Sequence, residues 1–131
     1  MTITLRDISR YNKALERASC HNSFGKYRIV TRLYRGSSFI GEGSNYYQIR
    51  RDGGTYHPSY SGVGVHAELD CVSRYSTRRS TLYIAGLSRM GFEIVTRPCP
   101  RCSMLLSNTD LHWVVYNSPL GLVKARPHEL I

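Results

Sequence analysis

Two short stretches that contain zinc-binding residue types most constrain how this chain can fold. They read Val65-His66-Ala67-Glu68 and Pro98-Cys99-Pro100-Arg101-Cys102. Zinc accepts imidazole nitrogen and thiolate sulfur in a tetrahedral arrangement. One histidine and two cysteines fill three corners and leave the fourth for water, which distinguishes a catalytic site from a closed structural site. A metal site of this kind requires a fold that brings two distant segments together.

The spacing within each stretch indicates the start of a helix. Cys99 and Cys102 are three residues apart, so a helix presents them on one face. The two prolines of this stretch suit a first turn, where a missing N–H costs little. Unpaired amides at that turn stabilise thiolates. His66 also falls at the start of a predicted helix, and at its first turn His66 and Glu68 can both face a site beyond the helix end.

Glu68, the last residue of the first stretch, is predicted to carry protons. Zinc lowers the pKa of a bound water towards neutrality, and a nearby carboxylate can accept the proton released. The alternative for the cysteines is a structural zinc site or a redox pair, because C-x-x-C alone is more often typical of those.

Taken together, H-x-E followed by P-C-x-x-C resembles the signature of the cytidine and deoxycytidylate deaminase superfamily. The resemblance implies a three-layer α/β/α fold with a mixed sheet of about five strands, formed by residues 1–131 as a single domain. It implies Zn²⁺ held by His66, Cys99 and Cys102. It also implies an enzyme that hydrolytically deaminates a cytosine nucleotide such as dCMP, with Glu68 as the catalytic residue.

Two substrate contacts follow from the same resemblance. The second strand of the family often ends in a similar Gly-x-Asn whose asparagine contacts the sugar hydroxyl, which implies this role for Asn45. A turn asparagine after a strand is the alternative. The amide between the zinc histidine and the glutamate contacts the base in the family, which implies this role for Ala67.

The long connection before His66 is predicted to bind substrate as well. Loops of this length inside a compact domain are usually functional or disordered. Arg50 and Arg51 offer phosphate contacts. His57 lies in a Thr-Tyr-His-Pro stretch similar to one that precedes the zinc histidine in some small deaminases, and it is included as a substrate-binding candidate.

Hydrophobic patterning predicts helices and strands that alternate along the chain. The predicted helices span 6–19, 65–75 and 99–106, and the predicted strands span 27–34, 38–43, 81–87, 112–116 and 120–123. The nearly continuous apolar run over 81–87 is typical of a central strand covered on both faces. The helix–strand–helix–strand order predicts a parallel pair with a right-handed crossover, which places the two zinc helices at one end of the sheet.

The composition favours anionic partners in a reducing compartment. The formal net charge is +9 over 131 residues, which suits nucleotides or nucleic acid, although a solvated basic surface is the alternative. The N-terminus has no apolar signal segment, and no run is long enough to span a membrane. The cysteines suit metal binding and free thiols. We therefore expect a soluble cytoplasmic protein without membrane contact.

Two other functions stay open at the level of the sequence. One is a deaminase acting on single-stranded DNA or RNA, favoured by the charge and by the tyrosines of the loop before His66. The other is a zinc-stabilised nucleic-acid-binding module without catalysis, disfavoured by Glu68. The short C-terminus leaves a sheet edge that another subunit could cover, so a homo-oligomer is predicted.

Overall fold

A computed structural model describes residues 2–20, 27–47 and 64–131. It contains three α-helices, which are α1 Leu5–Cys20, α2 Ala67–Val72 and α3 Pro100–Ser107. The main strands are β1 Tyr27–Arg35, β2 Ser38–Ser44, β5 Thr81–Ser88, β6 Trp113–Ser118 and β7 Gly121–Ala125. Two-residue strands β3 Tyr46–Tyr47 and β4 Gly64–Val65 pair with each other, and a 3₁₀ turn spans Pro127–Leu130.

The five main strands form one mixed sheet in the order β2-β1-β5-β6-β7. Only β5 and β6 run parallel among these neighbours, and the other three pairs are antiparallel. The fold class and the parallel βαβ unit predicted from the sequence are both confirmed. Since β5 lies in the centre, its apolar composition agrees with burial on both faces.

Helices cover both faces of the sheet and produce three layers. The side chains of β5 alternate between the two cores: Tyr83 and Ala85 pack with residues of α1, whereas Leu82 and Ile84 pack with residues of α2 and α3. The 3₁₀ turn packs through Leu130 in the same core as α2 and α3, which form the second helical layer. This arrangement confirms the α/β/α layering expected from the resemblance.

Helix α1 begins with a reciprocal cap that also anchors a buried acid. The amide of Thr4 donates to Asp7, and the amide of Asp7 donates to the Thr4 hydroxyl. Asp7 further accepts from the Tyr83 hydroxyl at 2.6 Å and from Lys124 at 3.0 Å. Burial by itself raises the pKa of Asp7, but these hydrogen bonds outweigh it and lower the pKa to about 2. The helical spacing of Ile8 with Tyr11 predicts that Ile8 packs on the sheet; this prediction is wrong, since Asp7 takes the inward position and Ile8 is 40% exposed.

Helix α2 is shorter than predicted and lies unusually close to the sheet. It has six residues and gives way to turns after Val72. A Cβ atom added at Gly43 of β2 would lie 2.6 Å from the Ala67 carbonyl oxygen and 2.6 Å from the Cys71 amide nitrogen. Only glycine permits this approach, because backbone atoms cannot move aside as a flexible side chain can.

Among the helices of the described residues, none combines the length and the apolar character that crossing a membrane requires.

We predict that Gly43→Ala destabilises the protein by about 1–3 kcal/mol, because the added methyl group forces α2 away from β2. Urea unfolding would measure the change in the free energy of unfolding. Ser38→Ala, at an exposed position of the same strand, serves as the control and should change stability by less than about 0.5 kcal/mol. Equal stability of the Gly43→Ala and wild-type proteins would contradict the tight contact.

Candidate metal centre

The three predicted metal ligands converge at the N-termini of α2 and α3. His66 is the N-cap of α2 and Cys99 is the N-cap of α3, with Cys102 in the first turn. Their ligand atoms all lie within 4.8 Å of one another. The Nδ1 atom of His66 is 3.2 Å from the Cys102 sulfur and 3.6 Å from the Cys99 sulfur. Both helices therefore start at one end of the sheet, as predicted.

The cluster fits a tetrahedral zinc ion. Nitrogen and sulfur atoms bound to one zinc at about 2.0–2.3 Å lie roughly 3.6 Å apart when the angle between them is tetrahedral. The observed nitrogen–sulfur distances of 3.2 and 3.6 Å agree with that separation. Two thiol groups and one imidazole also form a donor set that favours zinc over magnesium or calcium.

The capping of α3 directs a hydrogen-bond donor at the Cys99 sulfur. The backbone amide of Cys102 points at the Cys99 sulfur at 3.5 Å, so an N–H donor and the positive end of the helix both face it. The Ser103 hydroxyl donates to the Pro98 carbonyl and fixes the segment that enters the helix. Sequence spacing predicted this geometry correctly.

Glu68 is buried beside the cluster and is the predicted proton carrier. Its residue is 6% exposed. Burial is the main cause that raises its pKa, while its own backbone amide and the nearby His66 act in the opposite direction. A carboxyl group of raised pKa can both accept and return a proton near neutral pH.

Thr31 and Ala67 fix the start of α2 against the sheet. The Thr31 hydroxyl donates to the Ala67 carbonyl at 2.9 Å, and both residues are buried. The first helical hydrogen bond runs from the Asp70 amide to the His66 carbonyl. The amide of Ala67 therefore belongs to the first turn, whose amides have no intrahelical partner. Its role towards a substrate stays a prediction.

Hydrogen bonds of Thr96 and Asn117 hold the segment before Cys99. The register of β5 with β6 ends at Ile84 and Tyr116. Beyond that point Thr96 hydrogen bonds to both strands: its hydroxyl donates to the Ile84 carbonyl, and its amide donates to the Asn117 carbonyl. Asn117 returns its own amide to the Thr96 hydroxyl at 2.9 Å and its side chain to the Ile94 carbonyl at 3.1 Å.

Sequence reasoning did not identify Thr31, Thr96 or Asn117. A buried threonine in a strand pattern is indistinguishable from any β-branched residue until its partner is known. Thr96 lies eight residues after β5, and its partner Asn117 lies on another strand, so the spacing along the sequence does not indicate either link.

Asn45 occupies the end of β2 and binds the backbone of β1. Its Oδ1 atom accepts from the Ile29 amide at 2.8 Å, and its Nδ2 atom donates to the Tyr27 carbonyl at 2.9 Å. These contacts give Asn45 a structural role, and the predicted sugar contact stays a prediction. Arg50, Arg51 and His57 lie outside the described residues.

Similarity to known proteins is found at the level of structure. No family model and no curated protein matches this sequence. The fold resembles cytidine deaminase from Burkholderia pseudomallei, with a TM-score of 0.61 and 12% identity over 98% of this chain and 97% of that chain. It also resembles dCMP deaminase from the cyanophage S-TIM5 in complex with dCMP and dUMP, with a TM-score of 0.60 and 16% identity over 87% and 82% of the two chains.

The chain has the cytidine deaminase fold. A cytidine deaminase from Mycobacterium leprae supports the same conclusion, with a TM-score of 0.56 and 16% identity over 92% of each chain. The resemblance inferred from two short motifs is thereby confirmed for the fold. Within the cytidine deaminase fold of this chain, the cluster of His66, Cys99 and Cys102 is a group that could hold a metal ion.

We predict about one zinc ion per chain and its loss in Cys102→Ser, because a hydroxyl group is a poor replacement for a thiolate ligand. Burial and the nearby Glu68 carboxylate raise the pKa of the Cys102 thiol, so zinc must displace a proton and its apparent affinity should fall as the pH is lowered. Atomic absorption and a chelator competition at several pH values measure both effects.

Cys20→Ser provides the control, since Cys20 is an exposed free cysteine at the end of α1. It should keep full zinc content. Full zinc content in Cys102→Ser would contradict the ligand assignment.

Proposed function

We propose that this chain is a zinc-dependent hydrolase that removes the amino group of cytosine in a nucleotide, giving the uracil nucleotide and ammonia. The observation that carries the proposal is the convergence of His66, Cys99 and Cys102 within 4.8 Å beside the buried Glu68. Three ligands leave the fourth tetrahedral position open, as in catalytic zinc sites. The cytidine deaminase fold supports the choice of reaction.

The proposed roles divide the chemistry between the metal and the protein. When bound, zinc supplies Lewis acidity that makes water nucleophilic near neutral pH. Glu68 accepts a proton from the water that attacks C4 of the base. It delivers this proton to the ring nitrogen, then accepts the proton of the new C4 hydroxyl group and delivers it to the amino group, so that the C4–N bond breaks, the uracil carbonyl forms and ammonia leaves. Burial of Glu68 suits this exchange because it raises the pKa of the carboxyl group.

The rigid start of α2 would orient the base. Thr31 fixes the Ala67 carbonyl, and the amide of Ala67 belongs to the first turn of the helix. We propose that this amide donates to the base, and that it stays in place because Gly43 lets α2 lie directly on β2. Asn45 is proposed for the sugar hydroxyl.

A cytosine mononucleotide, dCMP in particular, is the proposed substrate. The cyanophage dCMP deaminase structure contains dCMP and dUMP, which supports a nucleotide in a fold of this kind. Arg50 and Arg51 are proposed to contact the phosphate, since arginine binds phosphate in a bidentate manner. His57 is proposed as a further substrate contact from the same loop.

We further propose a homo-oligomer in the cytoplasm. Cys20, Cys71, Cys99 and Cys102 are all free, which suits a reducing compartment. Leu69 of α2 and Met104 of α3 are 41% and 54% exposed, so the outer face of the second helical layer offers apolar surface to another subunit.

We predict that Glu68→Gln keeps zinc and fold but loses turnover by about ten-thousandfold or more, because glutamine has nearly the same shape and cannot transfer protons. Release of ammonia from dCMP measures the rate, and atomic absorption measures the metal. Glu16→Gln makes the same substitution at an exposed position and should keep the wild-type rate.

Two results of that experiment would contradict the assignment. Near-normal turnover in Glu68→Gln would mean that another residue transfers the protons. Absence of turnover in the zinc-loaded wild-type protein on every cytosine substrate would favour a zinc-stabilised binding module.

Cytosine within a single strand is the second candidate substrate, and the net charge of +9 favours it. Salt dependence distinguishes a mononucleotide substrate from a single strand, since log affinity for a polynucleotide falls against log salt concentration with a slope of about −0.7 per phosphate contacted. We predict a shallow salt dependence of KM for dCMP and a higher KM in Arg50→Gln/Arg51→Gln, with cytidine little affected. Faster deamination of an oligonucleotide than of dCMP, at equal concentration and physiological salt, would overturn the mononucleotide proposal.

A further inference from the structure

Four arginines lie at or beside the turn that joins β1 to β2. Arg35 ends β1, and Arg10 of α1 donates to the carbonyl of Gly36 in the turn at 2.7 Å. Arg78 lies against Arg35, since its carbonyl accepts from the Arg35 Nε atom at 2.8 Å, and Arg79 follows it. We call Arg10, Arg35, Arg78 and Arg79 the distal arginine cluster.

The cluster lies away from the candidate metal centre. The β1–β2 turn is at the end of the sheet where β5 begins, because Tyr34 of β1 pairs with Thr81. The metal centre is at the end where β5 leads into α3. Thr31, which binds the Ala67 carbonyl next to His66, pairs with Ile84. Three residues of β5, at about 3.3 Å each, therefore separate the level of the turn from the level of the metal centre by roughly 10 Å along the strand.

Neutral groups hold two arginines of the cluster, Arg10 and Arg35, in place. Arg35 donates to the Ser76 carbonyl and hydroxyl as well as to the Arg78 carbonyl. Arg10 stacks on the Tyr34 ring with 4.2 Å between its Cζ atom and the ring centroid. Among residues 2–20, 27–47 and 64–131, no ion pair involves any of the four. The contacts that position Arg10 and Arg35 therefore leave the positive charge of the cluster without an ion-pair partner in this part of the chain.

Two carboxylates of the neighbouring β2 and α2 are paired with other cations, whereas the exposed Asp110, whose carbonyl accepts from the Arg79 amide, forms no ion pair within the described residues. Glu42 of β2 binds Arg17 and Arg32, and Asp70 of α2 binds Arg74. The side of the protein around the turn thus keeps an excess of positive charge. A mononucleotide bound at the opposite end of the sheet does not account for this excess.

An exposed aromatic ring adjoins the cluster. Phe39 pairs with Tyr34 across the hairpin, next to the pair of Arg35 with Ser38. It is 47% exposed, and the Arg32 guanidinium supports one face of its ring at 4.1 Å. An apolar ring held in this way, beside arginines, offers a platform for stacking a base.

We propose that the distal arginine cluster and Phe39 bind single-stranded nucleic acid. Oriented guanidinium groups recognise phosphodiester oxygens, and stacking on Phe39 requires an unpaired base, which a duplex does not present. The surface is separate from the proposed reaction. It would bind a strand whether the metal centre deaminates a cytosine mononucleotide or cytosine within that strand.

The test uses fluorescence anisotropy of the zinc-loaded, full-length protein with a labelled oligothymidylate of about 15 nucleotides, a span typical of single-strand sites. This probe contains no cytosine, so binding is measured independently of deamination. Arg78→Gln removes a guanidinium with no hydrogen bond or ion pair among the described residues. The negative slope of log K against log salt should become shallower by about 0.7 in this variant, and its affinity at 0.1 M salt should fall about fivefold.

Arg89→Gln is the matched control, because Arg89 is an exposed arginine at the other end of β5, and it should bind as the wild type does. Phe39→Leu keeps an apolar side chain but removes the stacking face. It should weaken binding at least about fivefold and leave the salt slope unchanged. Thermal unfolding checks that each variant is folded.

Three outcomes would overturn the proposal, whatever the deamination assay shows. One is the absence of binding at low salt. Another is an equal loss of affinity in Arg78→Gln and Arg89→Gln, which would indicate diffuse charge attraction. The third is wild-type affinity in Phe39→Leu together with equal affinity for a duplex, which would exclude recognition of a single strand.

Discussion

The parallel pairing of β5 with β6 determines where chemistry can occur in this protein. Two parallel strands require a crossover, and α3 lies in that crossover, so it starts where β5 ends. Helix α2 precedes β5 and runs back to its beginning, so its N-terminus lies at the same end. The open ends of two helices thereby face each other, and His66, Cys99 and Cys102 occupy those ends.

Two short-range constraints turn this topology into a precise site. Gly43 brings α2 into backbone contact with β2, and the Thr31 hydroxyl fixes the Ala67 carbonyl. On the other side, Thr96 lies where β5 and β6 cease to pair and hydrogen bonds to both. Each metal-binding segment is therefore held by the sheet close to its ligand. Ligand positions fixed in this way lower the cost of organising a metal site.

The sequence predicted local features better than contacts between distant segments. Strand patterns, the helix start at Cys99 and the metal-ligand spacing depend on neighbours along the chain, and the structure agrees with them. The inward position of Asp7 depends on hydrogen bonds with Tyr83 and Lys124. The position of the Asn45 side chain depends on hydrogen bonds with the backbone of β1. The end of α2 at Val72 was also missed, because polar residues that continue a helical pattern do not reveal where packing on the sheet stops.

The burial of ionisable groups determines how the candidate site would respond to a bound cation. Burial raises the pKa of Glu68, and it raises the pKa of Cys102 with help from the Glu68 carboxylate. The Glu68 carboxylate therefore opposes ionisation of the Cys102 thiol when only the protein is considered, while the hydrogen bond from that thiol lowers the pKa of Glu68. A divalent cation reverses this relation, since it favours the thiolate and the carboxylate together. Metal binding at this site would consequently be coupled to proton release, and the same burial that penalises charge would suit the proton-transfer role proposed for Glu68.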